Sequence, residues 1–576
     1  MTDHLEEVFA KLGTGRWNVF HFLALSFWFS LPSYHTLGGT FLAPKQDFDC
    51  IPSVTEEEDG ITSPLLLNVT HDQCSYTVQS RNGSILQLPC TQWNFDNSTF
   101  YSTVTSEFQL VCGLDYLRAT YTSIYMFGIF VGAPLNGVLA DRYGRLPLIT
   151  ISSILYTFIA IGSCWLPNLS VLLVARFLLG TMHPTSLQTG YILAMEVAAP
   201  KRRSEVGVVL FLPWALGTAA WGGFAYLVRH WRYLQLTVSL PCFLFLPALL
   251  FMDESPRWLV VRGSYERALT VLKKAARWNK VSQSFPSDQH LMCIFRNGQN
   301  QNPGEKKADD NRSFGEIFRS YFYKSLILLR TPKLRLITIV MYIDYLIVAM
   351  VYFGLSLSGS NFSTDPFLYV TLSGLVEIPG NTVSIPLVTR IGRRALTTFF
   401  FLLSGGTLLS LPFVPKGIGW LEITLLMTGK MSITMVFNII FLYASELFPT
   451  EVRTRGMGTS LMLSRVGSMM SPFITQYLGS AYPSAPSVLF GVASLLAGAV
   501  TVALPETRNT TLIDTVAHLE QDTTRNQHRH CKCWPDRDDE GSTTSCCGCW
   551  RKRNEQGHEY TSSLEPLEDQ TSLNTV

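Results

Sequence analysis

The string Gly137-Val-Leu-Ala-Asp141-Arg142-Tyr143-Gly144-Arg145 closes an apolar run. Its x-Arg-x-Gly-Arg core returns about 250 residues later as Thr389-Arg390-Ile391-Gly392-Arg393-Arg394. Two further pairs keep nearly the same offset. Glu196 precedes Arg203 with Pro200 between, and Glu446 precedes Arg453 with Pro449 between. Glu254-Ser-Pro-Arg257 is answered by Glu506-Thr-Arg508. Three echoes in register point to a chain of two like halves. In a membrane protein such doubling suggests a carrier whose halves rock around a central site.

The membrane reading rests on composition. The chain has 576 residues, 47% hydrophobic and 15% charged, too apolar for an ordinary soluble protein. Twelve apolar runs are each long enough, at about 20 residues, to cross a bilayer. They fall near 19–42, 119–140, 146–166, 169–195, 205–228 and 234–252, then 335–357, 367–389, 395–414, 419–445, 457–479 and 486–504. The expected fold is an all-α membrane protein of twelve transmembrane helices in two six-helix halves. The expected divisions are a cytosolic N-terminus (1–18), an N-terminal half (19–252), a cytosolic linker with amphipathic helices (253–334), a C-terminal half (335–504) and a largely disordered cytosolic tail (505–576). A net charge of +2 gives no reason to expect a nucleic-acid partner. No cleavable leader is recognised ahead of the first run.

Orientation follows from the basic residues. The links after runs two, four, eight and ten carry Arg142 and Arg145, Lys201 to Arg203, Arg390 with Arg393 and Arg394, and Arg453 with Arg455. The opposite links are poor in charge, apart from Arg229, His230 and Arg232. The positive-inside rule therefore places both termini in the cytosol. The loop at 43–118 lies outside and holds Cys50, Cys74, Cys90 and Cys112, with glycosylation sequons at Asn68, Asn82 and Asn97. Four cysteines beside glycan acceptors read as two disulfides in one of three connectivities; the alternative is four free thiols. Sequons at Asn311 and Asn509 face the cytosol in this topology.

In the linker, Tyr265 to Lys280 has helical spacing and basic residues, as expected of a helix lying on the inner surface, and 296–312 reads as disordered. The tail carries His528, His530, Cys531, Cys533, Cys546, Cys547 and Cys549. A zinc site is conceivable though the spacing fits no standard finger; palmitoylation of the last three beside Arg551 to Arg553, and no modification, are the competing readings. No P-loop occurs, so ATP hydrolysis is not expected, and no cofactor is implied.

The repeated charges have a physical use. A carboxylate at a helix exit pairs with nearby arginines or meets the next helix N-terminus. Asp141, Arg142, Arg145, Glu196, Arg203, Arg390, Glu446 and Arg453 are therefore candidate gating residues, with Glu196/Arg203 and Glu446/Arg453 as latch pairs. Simple anchoring of helix ends in headgroups is the plainer alternative.

Several longer strings resemble the organic cation, anion and zwitterion transporter family of the major facilitator superfamily. They are Cys90-Thr-Gln-Trp-Asn-Phe-Asp, Phe100-Tyr-Ser-Thr-Val-Thr-Ser-Glu-Phe with Val111-Cys112, Glu254-Ser-Pro-Arg257-Trp258-Leu259, Glu446-Leu-Phe-Pro449-Thr450 and Ser464-Arg465-Val-Gly467-Ser468. The likeness runs from about residue 10 to 520. It implies the major facilitator fold, with a large disulfide-bonded extracellular loop between helices 1 and 2. It also implies alternating-access passage of a small organic ion across the plasma membrane, by a chain working as a monomer.

A charge at mid-bilayer costs about 3 kcal/mol or more, so each needs a partner or a role. Depth counting places Asp344, Glu377 and Arg465 near the middle, with Lys430 in span ten and Arg176 in span four. Arg176 reads as structural or gating; Lys430 reads equally as substrate contact or internal ion pair. The resemblance makes Arg465 typical of anion and zwitterion carriers, where cation carriers have Asp. Against a pure anion carrier stand Glu377, and Asn381 where anion carriers often have Lys. The expected substrate is thus a zwitterion or cation of carnitine or amino-acid type, with an organic anion held by Arg465, or a transport-inactive receptor-like member, as alternatives. Tyr345, Tyr352, Phe353, Tyr191 and Trp214 are candidate aromatic walls for an ammonium group; ordinary helix packing is the competing reading at each. Trp221 is a further candidate. Tyr345 departs from the Trp of many relatives. Pro32, Pro184, Pro213, Pro379 and Pro472 are candidate breaks in the spans. Nothing in the sequence selects among facilitated diffusion, exchange and Na⁺ or H⁺ coupling.

Overall fold

The computed structural model describes residues 2–51, 71–72, 74–79, 85–202, 206–207, 209–281, 285–286, 288–289, 291–292, 326–358, 365–415, 418–508, 515–516 and 518–520. Asn68, Asn82, Arg203, Asn311, Asn509, the 296–312 segment and the cysteine-rich tail lie outside those residues.

Twelve helical spans order the described chain. The first half contains α1 Arg16–Thr36, α2 Asp115–Tyr143, α3 Arg145–Gly162, α4 Leu169–Val197, α5 Leu212–Leu227 and α6 Trp231–Leu249. The second contains α7 Pro332–Leu357, α8 Pro366–Ile391, α9 Arg393–Ser410, α10 Gly419–Leu447, α11 Arg453–Pro472 and α12 Ala485–Thr501. Six of these, α2, α3, α6, α7, α9 and α10, are by themselves long and apolar enough to cross a membrane. The others are shorter, or dilute their apolar residues with Ser, Thr, Gly and His that sit buried against neighbouring helices, as in α1 and α4. Pro32, Pro184 and Pro379 are carried inside continuous helices and do not break them. Pro213 lies in the first turn of α5, where its missing N–H has no helical acceptor to lose. Pro472 ends α11, which continues as a π-helical segment Phe473–Leu478.

The loop between α1 and α2 is not purely helical. Phe48–Ile51 pairs antiparallel with Gln92–Phe95, and His71–Asp72, Ser75–Gln79 and Ile85–Pro89 form a second small sheet. Of the three possible connectivities the structure has Cys50–Cys90 and Cys74–Cys112, with Cα separations of 5.8 and 5.7 Å. Asn97 is exposed on this loop. The face bearing it is called the loop face, and the opposite one, bearing the helix Tyr265–Trp278, the linker face.

The halves meet through small residues and rings. A Cβ on Gly222 of α5 would collide with Thr371 and Phe367 of α8, and one on Gly374 with Ala219 of α5, so close approach here requires glycine. The Phe367 ring is held by Phe41 (5.4 Å), Phe100 (5.5 Å) and Tyr226 (5.7 Å) of the first half, and Arg229 lies over it at 5.7 Å. On the other seam Arg118 donates to the Gln476 carbonyl (3.1 Å) and Ser123 to that of Met469 (2.9 Å). These contacts lie toward the loop face. The charge exception noted on that face has structural uses. Arg229 covers rings, and Arg232 pairs with Glu107, which also accepts from Trp231 Nε1 (2.7 Å). Burial pushes the Glu107 carboxyl up, but donation from Arg232 and Trp231 more than reverses this, leaving it below the ordinary 4.5.

At the linker face each half carries the same corner. Gly144 (φ 104°) ends α2 and Gly392 (φ 116°) ends α8, a backbone region that suits glycine. Glu254 then accepts from the N–H groups of Arg145 (3.1 Å) and Leu146 (3.1 Å) at the start of α3. Glu506 does so from Arg393 (2.8 Å) and Arg394 (3.1 Å) at the start of α9. Each carboxylate thereby satisfies orphan helix donors and meets the positive end of a helix dipole.

Candidate functional site

Mid-depth in the second half, α8 presents Glu377 and α10 presents Lys430. They pair at 2.9 Å with side chains 2% and 0% exposed. Tyr352 of α7 donates its hydroxyl to Glu377 Oε1 (2.7 Å), while its ring lies 3.4 Å under Lys430 Nζ. Lys430 also donates to Ser356 Oγ and to the Tyr352 carbonyl (3.4 Å). Desolvating two ions costs several kcal/mol each, and this dense donor set offsets that cost only while both partners remain.

The first half reaches this cluster through Trp214 of α5, whose indole N–H donates to the Tyr352 hydroxyl at 3.0 Å. The Trp214 ring stands edge-on to His183 of α4 (6.3 Å), and His183 Nδ1 lies 2.8 Å from the Tyr125 hydroxyl of α2. Arg465 of α11 lies within electrostatic reach of Tyr125 and His183, so it faces the first half across the seam. It is half-buried, and among the described residues no carboxylate pairs with it. The arrangement leaves one cation available at the seam, whereas Glu377 is occupied.

The other expected site residues divide. Asp344 is buried against α12, where Thr501 donates to Oδ2 (3.0 Å), and its Oδ1 has no partner among the described residues. It does not join Glu377. Eight residues separate it from Tyr352, which turns it roughly 80° around α7. Tyr345 is buried and reaches the Ile440 carbonyl at 3.5 Å, a packing role within the second half. Phe353 packs edge-on to Tyr352 (5.1 Å). Tyr191 packs on Phe211 (5.7 Å), apart from the charged cluster. Trp221 is buried between Tyr34 and Phe41, near the loop face.

Against known proteins, residues 68–517 match the model of the "Sugar (and other) transporter" family. The "Organic cation transporter protein" of Drosophila melanogaster is 31% identical over 84% of this chain and 88% of its own length. "Organic anion transporter 3" of Pongo abelii is 30% identical over 89% and 93%. Among solved structures, the partially occluded inward-open xylose transporter XylE of E. coli superposes with a TM-score of 0.56 at 15% identity, covering 86% of this chain and 100% of XylE. The chain belongs to the organic cation and anion transporter family, within the major facilitator superfamily. It is a multi-pass membrane transporter of organic ions, and not an enzyme.

In this transporter Glu446 pairs differently from the sequence expectation, while Arg203, the partner expected for Glu196, lies outside the described residues. Glu196 takes Arg145 (3.2 Å), which also meets Asp141 (3.1 Å). Glu446 takes Arg393 (2.8 Å) and accepts from Thr507 (2.6 Å), and does not pair with Arg453. Arg453 instead donates to Phe448 O (3.3 Å) and Thr450 Oγ1 (3.1 Å), closing its own turn. Arg142 and Arg390 are exposed. Proximity in sequence suggested a partner for Glu446 seven residues on, but the start of the adjacent helix, at Arg393, lies closer in space. These pairs stay within one half, so they clamp three elements of each half rather than bridging the two. His183 and Tyr125 were not singled out from sequence. A histidine beside Pro184 in mid-span was the available signal.

Proposed function

We propose that this transporter carries small organic anions across the plasma membrane by alternating access, with Arg465 as the contact for the substrate's acid group. One observation carries the reading: among the described residues Arg465 is a seam cation that no carboxylate pairs with, while Lys430 already holds Glu377. A guanidinium offers a planar fork to a carboxylate or sulfonate, and His183, within its electrostatic reach, carries the Trp214 ring edge-on at 6.3 Å. A zwitterion's ammonium would have to displace Lys430 both from Glu377 and from the Tyr352 ring face. The positive-inside pattern supports a cytosolic linker face and an external loop face. Interhalf contacts gathered toward the loop face then support an inward-facing arrangement.

Uptake of labelled monoanions, zwitterions and monoamines into proteoliposomes is the test, each with wild type and Arg465→Ala. Anion uptake should exceed the other two and fall by roughly 30-fold or more in the variant, the loss of a charge-assisted fork. Zwitterion or amine uptake left intact by Arg465→Ala, with no anion uptake, would overturn the reading.

A further inference from the structure

A second buried cation lies in the first half and has no established use. Arg176 of α4 is 0% exposed. Its guanidinium lies over the rings of Tyr121 (4.4 Å) and Tyr125 (4.9 Å), and Nε reaches the Tyr121 carbonyl at 3.5 Å. Both Nη1 and Nη2 are buried with no hydrogen-bond partner among the described residues. The carboxylates of α1 to α6 are Asp115, Asp141 and Glu196, all at helix ends. Asp115 pairs with Arg118, and the other two with Arg145. Among the described residues no carboxylate pairs with Arg176.

Other buried polar atoms lie around it. Among the described residues the Tyr121 hydroxyl is buried and unpartnered, as is His35 Nδ1. His35 lies on the Tyr156 ring (5.6 Å), whose hydroxyl meets that of Tyr125 (3.4 Å). A guanidinium edge and a phenol can all donate to one acceptor. Ring faces satisfy the face of a guanidinium, but its N–H groups point in-plane and still need an acceptor. Water would supply the acceptor and leave the charge uncompensated in a low-dielectric interior.

We propose that Arg176 and Tyr121 hold a small monovalent inorganic anion of halide size, buried within the first half and distinct from the contact at Arg465. The full burial of Arg176 favours a small ion over an organic substrate. The bound anion makes the first half electrically complete without a carboxylate and ties α4 to α2.

The test is thermal melting of the full-length transporter in nanodiscs, titrating bromide or chloride against gluconate at constant ionic strength. Melting temperature should rise saturably with halide, by ~3 °C, as for a ligand that binds only the folded state. Arg176→Met should abolish the rise. Tyr121→Phe, which removes one hydroxyl, should keep the fold and raise the half-saturating halide concentration at least ~3-fold. Arg465→Gln should leave the rise unchanged. No halide dependence in wild type would overturn the proposal, as would a rise kept by both Arg176→Met and Tyr121→Phe, or one lost only with Arg465→Gln. None of these readouts requires transport, so failure of the anion-carrier reading would leave this result separately legible.

Discussion

The corners of the linker face and the interior charges at mid-depth differ in how faithfully the two halves repeat. At the corners Glu254, Arg145 and Glu196 are matched by Glu506, Arg393 and Glu446, with similar partners and similar distances. In the interior the match fails. Lys430 has an acid, a tyrosine ring and a serine, whereas Arg176 has two tyrosine rings and no acid. Corners that repeat serve a need both halves share, namely joining a helix exit to the next helix start. Interior charges that do not repeat mark where the two halves differ, and the anion contacts proposed above are drawn from them.

The largest expected effect tests the interior. Lys430→Met strands Glu377 in an apolar site and should destabilise the protein by about 3–5 kcal/mol. Lys430→Met with Glu377→Gln should recover most of that loss in thermal melting. Arg176→Met strands no acid and should cost less than Lys430→Met. Equal losses would break the contrast between the two cations. The corners should then behave alike. Glu254→Gln and Glu506→Gln should each cost about 1–2 kcal/mol, the loss of charge-assisted bonds to helix N–H groups. A several-fold inequality between them would break the symmetry argument. Burial raises the Glu254 carboxyl, and its backbone donors oppose the rise.

A smaller effect is expected at Trp214. Trp214→Phe removes the bond to Tyr352 and should cost about 1 kcal/mol while increasing alkylation of an engineered cysteine near mid-depth. Unchanged alkylation would mean that this bond does not hold the halves together. The smallest effect concerns pH on the loop face. Glu107 is held below its ordinary value, so its stabilisation is present above pH 4.5 and is lost as pH falls through the folded value. The melting gap between wild type and Glu107→Gln should therefore close below pH 4.5; a gap that widened there would contradict the Arg232 pairing.

Much of the fold was legible because apolar length and flanking cations are local signals. The repeated Arg-x-Gly-Arg core marked both corners correctly, since a positive-φ glycine and a helix start are written side by side in the chain. Who pairs with Glu446 was not legible, because Arg393 lies 53 residues away. Depth counting put Asp344 and Glu377 at one height, but a rise per residue says nothing about the direction a side chain takes. The small sheets of the loop were missed because its cysteines and sequons dominated the reading and its strands are five residues or fewer.

Phe367 concentrates on one side chain what looks like a broad seam. Parting the halves at the loop face must strip three aromatic neighbours and a guanidinium from this ring in a single movement. The barrier to that movement is then tunable from one position. Trimming the ring should hasten exposure of the loop-face entrance without touching any charge at mid-depth, as stopped-flow labelling of an engineered cysteine near Tyr226 would record. On the proposed function, the ring that paces opening and the cation that meets the cargo are thus different residues that can change independently.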